Sequence, residues 1–174
     1  MRKLALLIAL FSLTTQVSAQ ATAEVKVAWQ HPEKYTDIRP ANGTKAAYQK
    51  QVISAFDKIW TDFASKLPAG YRLEVTVKDL DLAGDVNPMF RMDHNDIRVI
   101  KEIYFPRMNF DYVLFDANKQ QIAIGQDEKV KDMGFMMSAP SGFSHRQFAY
   151  EAEMLKKWFN RTIVPKLPAT TTQP

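Results

Sequence analysis

The sequence has 174 residues, a formal net charge of +4 and no cysteine. That length suits one small domain around one core, and the missing thiols exclude disulfide staples, thiol catalysis and Cys-ligated zinc. The charge is too small, and the basic residues too scattered, for a nucleic-acid footprint.

Arg2 and Lys3 precede an apolar run over residues 4–13, and Val17-Ser18-Ala19 follows. A basic start, a short apolar stretch and small residues at the cut make a secretory signal peptide cleaved after Ala19. The run is too short for a bilayer, which needs about twenty residues. No Cys lies near the cut, which excludes a lipid-anchored lipoprotein. The expectation is a periplasmic or secreted protein with residues 1–19 removed and no span left in the membrane. One domain then covers 20–165, and 166–174 is a disordered tail. Taking Arg2 and Lys3 from the 23 basic residues leaves 21 against 19 acidic ones, a net charge of +2.

Residues 24–29 alternate, with Val25, Val27 and Trp29 on one side, and read as a strand. A polar loop follows over 35–43. Residues 44–67 repeat Tyr48, Val52, Phe56, Ile59, Trp60, Phe63 and Leu67 at three- and four-residue steps, a helix with one wide apolar stripe. Residues 71–82 start as a strand with Leu73, Val75 and Val77 inward. Leu80 and Leu82 then carry the opposite parity, so a bulge near Lys78 and Asp79 must reconcile the two halves. Residues 83–95 read as irregular loop and 97–105 as a strand. Residues 108–116 and 121–125 form a hairpin, and 129–137 a short last strand. Ser144 with Gln147 makes a capping box, and Phe143 with Phe148 a hydrophobic staple. The helix they start buries Phe148, Ala152, Leu155, Phe159 and Ile163, with Trp158 beside the stripe.

The expected fold is therefore α+β: a mostly antiparallel, mixed sheet of about five strands with two amphipathic helices on one face. The first strand pairs with the second in parallel across the first helix. Trp60 and Phe56 should meet Leu155 and Phe159 over the sheet.

Several phrases resemble an uncharacterised proteobacterial family catalogued as domain of unknown function 3016. They are Val27-Ala28-Trp29 with Pro32 and Tyr35-Thr36-Asp37; Asp79-Leu80-Asp81-Leu82-Ala83-Gly84; Ile97-Arg98-Val99 running to Phe105-Pro106-Arg107; and Tyr150-Glu151, Leu155 and Trp158-Phe159. The resemblance implies an envelope-associated bacterial protein. It implies no reaction and carries over no catalytic residue.

Asp79, Asp81 and Asp85 invite a calcium reading, but counting from Asp79 puts Ala83 at position five and Phe90 at position twelve, which rejects an EF-hand. A strand-end role, with Asp79 and Asp81 paired to Arg98 or Arg107, competes with a looser oxygen site. Asp93-His94-Asn95-Asp96 reads first as a turn. Met89, Met92 and His94 combine thioether and imidazole donors that suit Cu(I), and Met133, Met136 and Met137 form a second group; the competing reading is that Met fills irregular packing. No phosphate loop, dinucleotide fingerprint or HExxH motif is present.

No catalytic, cofactor or metal site is assigned. The candidate polar cleft is Asp79, Asp81, Asp85, His94, Arg98 and Arg107, where local strand rules break down. The functional expectation is an exported, non-enzymatic binding or accessory module that recognises an envelope protein, a glycan or a small ligand. The alternative is a metal-dependent hydrolase or a copper- or divalent-metal-handling protein.

Overall fold

The computed structural model describes residues 21–92, 95–137 and 147–168. In chain order the elements are β1 (Glu24–Trp29), α1 (Lys45–Asp62), β2 (Arg72–Asp81), β3 (Asp85–Met92), β4 (Asn95–Val99), β5 (Arg107–Phe115), β6 (Gln121–Lys131) and α2 (Ala149–Thr162). The fold is α+β, as the periodicities predict. A mixed sheet has the order β1-β2-β5-β6, with β1 parallel to β2 and the other pairs antiparallel. β3 and β4 form a separate two-stranded ribbon. Four strands and a ribbon thus replace the single sheet of about five.

Alternation along β2 and β5 sends Leu73, Val75, Val77, Met108, Phe110, Tyr112 and Leu114 into the core. Both helices lie over that face. Trp60 of α1 meets Phe110 edge-on at 5.4 Å, and Trp158 of α2 meets Phe110 at 4.8 Å and Tyr112 at 5.3 Å. The helices meet each other through Trp60 and Trp158 at 5.9 Å, and through the stacked rings of Phe63 and Phe159 at 4.6 Å. Phe56 meets Phe148. Phe56, Trp60, Leu155 and Phe159 share one core cluster, and the ring contacts between the helices also run through Trp158, which was assigned to the stripe's edge and is fully buried.

Thr44 caps α1, its hydroxyl accepting from the Ala47 amide at 3.3 Å. The helix tightens into a 3-10 turn over Phe63–Lys66, so residues 44–67 are one element with two geometries. The expected bulge is present: the β2–β5 register shifts between Val77 and Asp79.

Four boundaries are corrected. Residues 85–92, within the stretch 83–95 read as irregular loop, are β3 and contain Pro88; proline is tolerated at bulges, and the β3–β4 register is irregular between Val86 and Arg91. The strand expected over 97–105 is β4 and stops at Val99, and of the one expected over 129–137 only the first three residues are strand, the end of β6, with turns over 133–137. Irregularities opposite Phe110 and Tyr112, together with Asp127 at φ 53°, break the parity that would have joined the two halves of β6. Helix α2 starts at Ala149, after Phe148 in a left-handed conformation at φ 62°, so Phe148 is not an in-helix staple residue. Ser144 and Phe143 lie outside the described residues, as does the end of the expected C-terminal tail.

Candidate functional site

The polar cleft is built where the loop after β1 docks on the end of β2. Tyr35 is buried and donates its hydroxyl to the Val77 carbonyl at 2.8 Å. Asp37 then pairs with Asp81 as an isolated parallel bridge, its amide donating to the Leu80 carbonyl at 3.2 Å. The bulge turns Asp79 toward this loop. Its carboxylate accepts from the Thr36 amide at 2.7 Å and the Thr36 hydroxyl at 2.6 Å. Asp79 therefore takes loop donors rather than an arginine.

Asp81 accepts from Arg107 Nε at 2.8 Å and also from its terminal nitrogen. Burial nonetheless pushes the Asp81 carboxyl above its ordinary value, with the Arg107 bond opposing it. Asp85 pairs with Arg39 at 3.4 Å. Two adjoining cavities result, of about 570 and 400 Å3, which share Thr36, Asp81 and Arg107. Asp79, Asn109, Lys129 and Lys131 line the first; Asp37, Arg39, Asp85 and Tyr104 line the second.

Arg98 sits behind these walls. One terminal nitrogen donates to Asp37 at 2.7 Å and to the Gly84 carbonyl at 3.0 Å, and the other to the Arg39 carbonyl at 3.0 Å. It pins β4 to the loop and lines neither cavity. Gly84 allows that closeness: its φ is +82°, and a Cβ there would lie 2.7 Å from the Val99 carbonyl oxygen. Glu151, on the first turn of α2, is buried and accepts from the Ala83 amide at 2.8 Å. Burial pushes its carboxyl above the ordinary range, against the Ala83 bond and the Arg98 charge.

Of the six residues expected at the cleft, the structure brings Asp79, Asp81, Asp85 and Arg107 together, turns Arg98 into a brace, and leaves His94 outside the described residues. Thr36, Arg39, Lys129 and Lys131 were not anticipated. Thr36 and Asp37 belong to the Tyr35-Thr36-Asp37 phrase that carried the family resemblance, which was their one signal. Among the described residues no three His, Asp or Glu side chains converge to hold a metal ion, and no helix is long and apolar enough to cross a membrane.

Two features of the first cavity break ordinary rules. Arg107 and Lys131 are direct cross-strand partners of β5 and β6, and like charges placed so are destabilising. Asp81 offsets this on the Arg107 side, whereas the Lys131 side chain has no hydrogen-bond or ion-pair partner among the described residues. The buried Asn109 Oδ1 has no donor among them either, although its Nδ2 reaches Asp127 at 2.9 Å.

Comparison with known proteins gives one family. A family model described as a protein of unknown function, DUF3016, matches residues 23–161. No curated protein matches the chain.

Proposed function

The chain belongs to the DUF3016 family, and from its own geometry we propose an exported, non-enzymatic binding module that holds an anionic group of its partner against Arg107 and Lys131. The cross-strand pairing of those two cations carries the reading. A structure keeps a like-charge pair at a cost, and local rules tend to fail where a site needs them to. Asp81 already neutralises Arg107, so Lys131 is the cation left without a counter-charge among the described residues, and an anionic group of the partner would supply it through a charge-assisted bond. The acidic groups around it are already engaged: Asp79 by Thr36, Asp81 by Arg107 and Asp85 by Arg39. That makes them braces of a recognition surface rather than free acid and base. The basic start and short apolar run of the sequence support export, and the partner class is an envelope protein, a glycan or a small ligand.

Two measurements test this. Mass spectrometry of the periplasmic fraction should find a chain beginning at Gln20; an intact Met1 terminus in the cytoplasm would remove the export claim. With that chain as bait in envelope extract, Lys131→Gln should capture the partner more weakly, and capture should fall as salt rises. Lys131 is exposed, so its loss leaves the fold intact. Equal capture by wild type and variant would remove the anion site.

A further inference from the structure

Met133, Met136 and Met137 are respectively 57%, 47% and 90% exposed. Methionine as packing filler would be buried, like Met108 and Met154 at 2% and 1%. These three occupy one run of turns after β6, closed by the Met137 amide on the Gly134 carbonyl at 3.0 Å. Phe135 between them points the other way. It is 1% exposed and meets Tyr150 of α2 edge-on at 4.9 Å. The turn is also tied at its start: the Asp132 amide donates to the Pro106 carbonyl at 3.2 Å, and its carboxylate accepts from Lys157 at 2.7 Å. A fixed turn thus buries its one ring and shows its three thioethers to solvent.

We propose that Met133, Met136 and Met137 form a thioether site for Cu(I). Thioethers are soft, uncharged donors that select this monovalent ion over the hard divalent cations, which want oxygen ligands. Three neutral donors at positions i, i+3 and i+4 of a turn suit a low-coordinate soft ion, and the anchored frame lowers the ordering cost of bringing them together. The flexibility of the methionine side chain lets the sulfurs close on the ion from an exposed start. The site is independent of the Arg107–Lys131 cleft.

The test uses Ag(I) as a redox-inert stand-in, followed through the methionine methyl signals by NMR, and Cu(I) affinity in competition with a chromogenic chelator under anaerobic reducing conditions. One equivalent of Ag(I) should shift the methyls of Met133, Met136 and Met137 and leave those of Met108 and Met154 in place. The variant carrying Met133→Leu, Met136→Leu and Met137→Leu keeps side-chain size on an exposed surface, so it should fold normally and bind Cu(I) at least roughly tenfold more weakly. Unchanged affinity in that variant, shifts confined to Met89 and Met92, or no shift at all would overturn the proposal.

Discussion

Arg98→Met keeps much of the aliphatic stem of Arg98 and deletes its guanidinium. The Asp37 side chain, 16% exposed, then loses its counter-ion, and the carbonyls of Gly84 and Arg39 lose a donor. Removing one partner of a buried pair costs roughly 3–5 kcal/mol, because the other charge is stranded. The Arg98 and Asp37 side chains keep 18% and 16% of their surface, so water recovers part of that, and the expected loss is about 3 kcal/mol. For a chain of this size that lowers Tm by roughly 6–12 °C. Urea unfolding followed by tryptophan fluorescence reads it directly. The double variant Asp37→Asn, Arg98→Met should lose less than the sum of the singles, since no charge is stranded. A stability within about 0.5 kcal/mol of wild type, the range of an ordinary surface change, would refute the brace and return Arg98 to the ligand-contacting set.

Trp60→Ala should cost roughly 3–5 kcal/mol, whereas Trp60→Phe removes an indole N–H that is buried without an acceptor among the described residues, and should stay within about 1 kcal/mol of wild type; calorimetry separates the two. Glu151→Gln keeps an acceptor for the Ala83 amide. Burial raises the Glu151 carboxyl above its ordinary 4.5, so the folded state penalises the ionised form. That cost is absent below 4.5, where the group is protonated folded and unfolded, and grows as pH rises through the folded value. Wild type should therefore lose stability relative to Glu151→Gln as pH climbs above 4.5, and a flat difference curve would contradict the assignment. Gly84→Ala forces a methyl toward the Val99 carbonyl at positive φ, and should cost about 2 kcal/mol in denaturant melts.

Elements with local signals were readable from the chain. Val25, Val27 and Trp29 marked β1 at both its ends, and the parity slip at Leu80 located the bulge that turns Asp79 into the cleft. Contacts made across long stretches of sequence were not readable. Nothing near Thr36 says that it will meet a side chain 43 positions later. Glu151, three residues after Phe148 and four before Leu155, is buried with the apolar stripe, because a buried carboxylate is tolerated once an amide from a distant loop reaches it. The Arg107–Lys131 pair needed the register of β5 and β6, and the bulges in β6 hid that register by splitting one strand into two short patterns.

The central claim is that a partner docks at the Arg107–Lys131 rim. A photo-cross-linking side chain at position 129, which lines the same cavity, tests it most directly when compared with one at the exposed Lys58 on α1. In envelope extract the 129 probe should yield one defined adduct that is absent from the 58 probe and lost when Lys131→Gln is added. The same adduct from both positions, or one that survives Lys131→Gln unchanged, would contradict the account.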